Sequence, residues 1–460
     1  MAQATLRTGA LSFFESIIMG LAGSAPGFSV ATTAAVLLAT AGTVSVNALL
    51  IFAVPMLGIA IAYKGLNKKM PRAGAGFDWT TESFGALWGF FSGWAVLIAT
   101  LVFIVSGSLT LGTNLMDILD PALANSLIAT TALGGLCYLA IGLVLIAGIG
   151  LTSKVQVVMT CVELGILSIV ALAAFVHAGI HGPVQMPSFS WLKFGYSPGS
   201  FAASALVVVF FYWGWDVCSN LGEETTDHPP NAAGNGGFYS IFITIGIFVA
   251  FIVSAMMLFT MKDAQGYNVN IVNQIAVAAG LGSIGGKFAS FAVVLSGIAT
   301  LETSMLQFSR TLFSMSRERA MPTLMARIDP RTQTPVRTTV LLIILGLVMI
   351  FASSFIPTVG QIITDSVDAV AVQVCYYYGI AGLVCAWVYR RAHAGSPGIW
   401  LLYALYPFLS AVALIVLGIY ACTTFNTITL VVGIGGLLIG IVLFRPRRWG
   451  EEGPPPAPAE

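Results

Sequence analysis

Gly23-Ser24-Ala25-Pro26-Gly27 sits inside an apolar run that extends from about residue 11 to residue 40. Pro26 has no amide N–H and disfavours helix at Ala25, while Gly23 and Gly27 let the backbone open. The five residues therefore predict a helix broken in its middle. A second such stretch, Trp213-Gly214-Trp215-Asp216, lies inside the apolar run 200–222. A break at mid-membrane frees amide and carbonyl groups that lipid cannot satisfy, so it persists only where the backbone lines a cavity or meets a ligand. Breaks at corresponding places of two halves point to the binding site of a secondary transporter.

The surrounding chain supports a membrane setting. Of its 460 residues, 57% are hydrophobic and 8% charged, against about 25% charged in soluble domains. A span needs about 20 apolar residues, and twelve such segments can be drawn: 11–40 (broken), 44–63, 85–115, 126–148, 153–179, 200–222 (broken), 237–261, 284–314, 337–356, 366–389, 399–421 and 426–444. The expected fold is thus an all-α integral membrane protein of twelve transmembrane helices. Spans 1–5 and 6–10 each begin with a broken helix, which predicts a 5+5 inverted repeat (about 11–200 and 200–389) with two added helices (399–444). Residues 1–444 form one transporter domain, and the Pro-rich 445–460 is read as a disordered cytoplasmic tail.

Lys and Arg set the orientation. One set of connections holds Arg7, Lys64, Lys68, Lys69, Arg72, Lys154, Arg310, Arg317, Arg319, Arg327, Arg331, Arg337, Arg390, Arg391, Arg445, Arg447 and Arg448; the other holds only Lys193, Lys262 and Lys287. This asymmetry places both termini in the cytoplasm. No cleavable leader is expected, because no small-residue cleavage site follows a short apolar run. The absence of a glycosylation sequon is compatible with a bacterial inner membrane. Net charge is +1, so no bulk electrostatic attraction to nucleic acid exists. The six cysteines show no CxxC pair and read as small packing residues.

Three carboxylates approach the middle of the bilayer. Asp216 lies seven residues before Glu223, Glu163 nine past Lys154 and Glu302 eight before Arg310. At about 1.5 Å per residue each is some 10–13 Å inside a core about 30 Å thick. A charge at that depth costs about 2.5–3.5 kcal/mol on insertion scales, so each is a functional candidate. No Lys or Arg lies as deep. Acidic groups without internal partners must be protonated or neutralised by something bound. That favours a cationic substrate group, a coupling proton, or both. Phe210, Phe211, Tyr212, Trp213 and Trp215 surround the second break, and a cation can sit on such faces. Tyr376-Tyr377-Tyr378 is a further aromatic cluster whose facing the sequence leaves open.

Four patches resemble the amino acid–polyamine–organocation superfamily, and within it bacterial putrescine and amino acid permeases. Met19-Gly20-Leu21-Ala22 with Ser24-Ala25-Pro26 looks like the first span. Pro71-Arg72-Ala73-Gly74-Ala75-Gly76-Phe77-Asp78-Trp79, followed by Gly85, Gly89-Phe90 and Gly93-Trp94, looks like the first cytoplasmic loop and third span. Gly214-Trp215-Asp216 with Glu223-Glu224 matches the sixth span. Arg310, Met315-Ser316-Arg317-Glu318, Pro322 and Thr334-Pro335-Val336 match the loop after the eighth. The chain departs in two places: Ala25-Pro26-Gly27 replaces a Gly-Thr-Gly-like turn, and Glu163 stands where some proton-coupled members carry Lys.

The resemblance implies a broken-helix fold and secondary transport by alternating access. Gly23, Ser24, Ala25, Pro26, Gly27, Phe210, Trp213, Gly214, Trp215 and Asp216 are the expected substrate-binding residues, with Asp216 on an amine and the N–H groups near Ala25–Phe28 on any carboxylate. Glu163 and Glu302 are the expected proton-coupling residues. The expected partners are an amino acid or polyamine, protons and the lipid bilayer, with no cofactor, nucleic acid or obligate protein partner. An exchanger without net proton coupling is the alternative. A membrane-embedded enzyme would need a nucleophile–base pair or a metal set, and His177, His181, His228 and His393 lack ligand spacing.

Overall fold

A computed structural model describes residues 5–444 apart from 125, 227, 356–358, 393–394 and 424. The proposed tail 445–460, with Arg445, Arg447 and Arg448, lies outside the described residues. The described chain is helical, with one isolated bridge between Leu11 and Thr225. Its helices are α1 (Phe13–Ser24), α2 (Pro26–Ala41), α3 (Ser45–Lys69), α4 (Gly76–Phe84), α5 (Ala86–Leu119), α6 (Leu127–Ile146), α7 (Ile149–His181), α8 (Pro198–Phe211), α9 (Val217–Asn220) and α10 (Ala232–Leu258). There follow α11 (Met261–Gly266), α12 (Ile271–Ala276), α13 (Gly282–Arg317), α14 (Val336–Ser353), α15 (Val359–Tyr389), α16 (Pro397–Trp400), α17 (Tyr406–Ala421), α18 (Thr427–Leu430) and α19 (Gly436–Leu443).

Each apolar segment drawn from the sequence is helical. Among the described residues, nine helical stretches are long and apolar enough to cross a membrane, the first being Phe13–Lys69 taken as one. Pro198–Phe211 and Thr427–Leu443 are shorter apolar helices. The chain is a multi-pass membrane protein.

Patterning along the helices is that of a protein whose solvent is lipid. On α7, Thr152, Gln156, Thr160 and Glu163 recur at three- and four-residue steps and are buried, whereas Val158, Val162, Ile169 and Leu172 are exposed. The polar stripe faces the interior and the apolar stripe faces out. At the start of α1, Ser12 and Glu15 form a capping box: the Glu15 N–H donates to Ser12 Oγ (3.2 Å) and the Ser12 N–H to Glu15 Oε2 (2.8 Å). That box fixes where α1 begins.

α13 organises the interior. Nearly all of its residues from Ser296 to Ser316 are buried, and it packs against α1, α2, α5 and α7. Ser296, Thr300, Thr303, Gln307, Thr311 and Ser314 recur every three or four residues and so share one face. Arg310 was expected in the connection after the helix. Instead it lies inside α13 and is fully buried, because the helix continues to Arg317.

Candidate functional site

Both expected breaks are present, and they touch. α1 stops at Ser24, Ala25 takes a left-handed conformation (φ 45°, ψ 70°), and Pro26 opens α2 as its first residue. α8 stops at Phe211, Gly214 has φ +102°, and the chain resumes as the single turn α9. A methyl group on Gly23 would run into the carbonyl of Gly214, and one on Gly214 into the carbonyl of Gly23. The two glycines therefore allow the breaks to meet backbone to backbone.

The first break is stitched by its neighbours. The Gly27 N–H donates to Glu163 Oε1 of α7 (3.0 Å) and the Phe28 N–H to Ser296 Oγ of α13 (3.0 Å). The Thr300 hydroxyl, one turn along α13, donates to the Gly23 carbonyl (3.1 Å). The Ala25 and Ser29 N–H groups reach Leu21 O and Ala25 O, each at 2.8 Å. The amide donors expected to await a substrate carboxylate near Ala25–Phe28 are thus already held by the chain itself in this structure.

The second break presents a side chain. Asp216 is 1% exposed. Its Oδ1 accepts from the Tyr378 hydroxyl (2.8 Å), and its Oδ2 from Gln307 Nε2 (2.7 Å) and the Tyr377 hydroxyl (3.3 Å). Gln307 also leans on Asn220 Oδ1 (3.3 Å), and Trp213 Nε1 donates to the Tyr377 hydroxyl. All three partners of Asp216 are neutral. The two ion pairs found among the described residues, Arg310–Glu224 and Arg317–Glu223, do not include it. Aromatic rings wall the cluster: Phe103 meets Trp213 (centroids 5.2 Å), Phe28 (5.7 Å) and Phe210 (6.3 Å), and Trp215 meets Tyr63 (5.3 Å) and Tyr378 (5.5 Å). Trp215 Nε1 is buried without a partner.

Beneath the second break, toward the end of α13 that carries Arg310 and Arg317, lie two arginine–glutamate pairs. Arg310 grips Glu224 through two bonds (2.9 and 3.0 Å), and Arg317 grips Glu223 through two (2.7 and 3.0 Å). The Ala73 N–H donates to Glu223 Oε1 (2.9 Å), Asn220 Nδ2 to the Ala73 carbonyl (2.9 Å), and the Ser314 hydroxyl to Asp78 (2.8 Å). Three of the four sequence patches that carry the resemblance thus converge beneath the second break.

The structure sets Gly23 and Ser24 against Gly214, with Asp216 two residues further along the second break and Phe210 and Trp213 just before it. Glu163 holds the first break, and Glu302 lies in the seam between α7 and α13 rather than against Asp216. Sequence reasoning missed Gln307, Tyr63, Phe103, Ser296 and Thr300, and it could not orient Tyr377 and Tyr378, both of which face inward. The polar period of α13 is the signal that would have found Gln307, Ser296 and Thr300.

A helical membrane bundle with two facing breaks and a buried carboxylate between them has the architecture of a broken-helix permease. The sequence profile of the family described as "Amino acid permease" matches residues 11–442, and the chain belongs to that family. Among its relatives, the serine/threonine exchanger SteT of Bacillus subtilis is 23% identical over 366 residues, covering 78% of this chain and 77% of the relative. The branched-chain amino acid permease BcaP of the same organism is 25% identical over 312 residues, 64% of each. The mouse Asc-type amino acid transporter 1 is 26% identical over 286 residues, covering 60% of this chain and 52% of the relative.

Proposed function

We propose that the protein moves a small amine-bearing molecule, an amino acid in the first place, across the membrane by alternating access between two inverted repeats, and that protons drive it. Asp216 carries this reading. A buried carboxylate held by three neutral donors lacks a counter-charge, and a substrate ammonium supplies one. The aromatic rings around it add faces on which a cation rests. An α-carboxylate would have to take over the Gly27 and Phe28 N–H groups from Glu163 and Ser296. Glu163 is the proton carrier in this reading: it releases Gly27 as it changes protonation state. Exchange without net proton flux is the second reading, favoured by the likeness to SteT, a serine/threonine exchanger.

A thermal-stability screen of the purified protein tests substrate class, because a ligand that binds only the folded state stabilises it by mass action. Neutral and cationic amino acids, with polyamines as a comparison arm, are expected to raise Tm; glutamate and aspartate are not. In Asp216→Asn the shift should shrink as if about 1.5–3 kcal/mol of binding were lost, the worth of a hydrogen bond to a charged group. An acidic amino acid as best ligand, or wild-type affinity in the variant, would overturn the role given to Asp216.

A further inference from the structure

Two carboxyl groups among the described residues have buried oxygens without any hydrogen-bond partner, and both belong to the same pair of helices. Glu163 of α7 leaves Oε2 unpartnered; neither oxygen of Glu302 of α13 has a partner at ordinary hydrogen-bond geometry, and the hydroxyl beside it is that of Thr152 on α7. Between them on α7 are two more such atoms, Thr160 Oγ1 and Gln156 Oε1. The Gln156 amide is pinned by its Nε2, which donates to the Ala299 carbonyl of α13 (2.9 Å). Its acceptor oxygen therefore points elsewhere into the seam. Ser92, Thr100, Ser108 and Thr110 of α5, also buried hydroxyls without partners, lie on a helix that carries no unpartnered carboxyl oxygen.

These groups form a file with an outlet. Glu163, Thr160, Gln156 and Thr152 follow one face of α7, about 4–6 Å apart along the axis at 1.5 Å per residue. Two groups at that spacing are bridged by one water making two ordinary hydrogen bonds, and buried water settles where several polar atoms lack other partners. Thr152 faces Glu302 and donates to the Gly148 carbonyl (3.2 Å). Gly148 in turn lines a cavity of about 400 Å³ on the basic, cytoplasmic side, together with Glu15, Ser153, Lys154, Arg7 and Arg331. The Ser153 hydroxyl donates there to Glu15 Oε1 (3.0 Å). The charged groups along the route are thus Glu163 at its inner end, Glu302 within it, and Glu15, Lys154, Arg7 and Arg331 at its mouth.

We infer that the seam between α7 and α13 is a hydrated proton passage, separate from the substrate site, through which Glu163 exchanges protons with the cytoplasm by way of Glu302. In one passage the Glu163 carboxyl gives its proton to a water held by Thr160 and Gln156. Glu302, a carboxylic acid at rest, gives its own proton to a second water at Thr152, which takes it on to the cavity, and the water at Thr160 and Gln156 then reprotonates Glu302. Glu163 is left as a carboxylate on the Gly27 N–H, Glu302 returns to its starting form, and one proton has moved. The inference rests on the reading of Glu163 as proton carrier given above.

Infrared spectroscopy of the full-length protein tests it without any substrate. A carboxylic-acid C=O band that disappears in Glu302→Gln identifies Glu302. In D2O that band is expected to shift within minutes in the wild type, and the shift is expected to be lost over the same interval in Thr152→Leu, which plugs the seam. No such band, or a band blind to D2O, overturns the passage. In proteoliposomes, uptake of the screen's best amino acid driven by a pH gradient should fall by roughly 100-fold in Glu302→Gln, the scale on which a positioned proton-transfer group counts. Glu302→Asp, which keeps a titratable carboxyl, should restore part of it. Loss in Glu163→Gln with full uptake in Glu302→Gln sinks the passage alone; full uptake in Glu163→Gln sinks the coupling reading itself.

Discussion

The two breaks solve one physical problem in opposite ways. At the first, neighbouring side chains come to the backbone: Glu163 and Ser296 take its N–H groups and Thr300 gives to its carbonyl. At the second, the backbone largely satisfies itself through local turns, as in Val217 N–H to Gly214 O (3.3 Å) and Ser219 N–H to Asp216 O (2.9 Å). What it offers to its neighbours is the Asp216 carboxylate. The first break is therefore a scaffold, fixed from outside, and the second displays chemistry. Their supports differ as well: hydroxyls and one carboxyl hold the first, while two ion pairs lie beneath the second.

That difference in support predicts the largest effect. Arg310 and Glu224 are both buried, and removing one partner of a buried pair leaves an uncompensated charge that costs about 3–5 kcal/mol. Arg310→Met should lower thermal stability in detergent by that much, and adding Glu224→Met should recover most of the loss. No single substitution at the first break should match it. If Arg310→Met costs no more than loss of a hydroxyl at the first break, the ion pair beneath the second break is ornamental.

The point of contact comes next. Gly23 lies in α1 with ordinary helical backbone, whereas Gly214 has φ +102°. Alanine at either position collides with the other break's carbonyl, an overpacking cost of about 1–3 kcal/mol. At Gly214 the backbone strain of a non-glycine residue adds about 1–3 kcal/mol. Gly214→Ala should therefore be the worse of the two, by unfolding midpoint or by yield of folded protein. Equal effects would mean that the strained turn relaxes, and that the second break is softer than the first.

Much of this was legible in the chain because membranes forbid ambiguity. A Pro after Ala25 and a Gly between two tryptophans cannot sit unmarked in apolar runs, so both breaks were readable, and so was the burial of Asp216, Glu163 and Glu302. Apolar length located the helices but not their ends: α3 continues to Lys69 and α13 to Arg317. The polar side of α13 was not read, because Ser, Thr and Gln are tolerated in any membrane helix and signal only when their period is followed for about five turns. Gln307 and Tyr378 meet Asp216 from helices 91 and 162 residues away in sequence. No local pattern encodes such a distance. Arg310 misled for a simpler reason: a basic residue near a helix end reads as a loop residue unless its buried acid is known.

The smallest effect tests whether the first break is held as firmly as the comparison requires. Ser296→Ala removes the acceptor of the Phe28 N–H (3.0 Å) and a hydroxyl that bonds Glu163. A buried donor left unpaired costs about 1–3 kcal/mol. The position lies at a helix N-terminus, where the positive end of the α2 dipole gains from any nearby acceptor. Glu163 still holds the adjacent Gly27 N–H (3.0 Å) and can share its charge with Phe28. The loss should accordingly fall at the low end, about 1 kcal/mol by thermal unfolding. Combining Ser296→Ala with Glu163→Ala should cost more than the two singly, since each substitution removes the other's substitute acceptor. Simple additivity would show that the two N–H groups are held independently, and that the first break is two fixed points rather than one shared anchor.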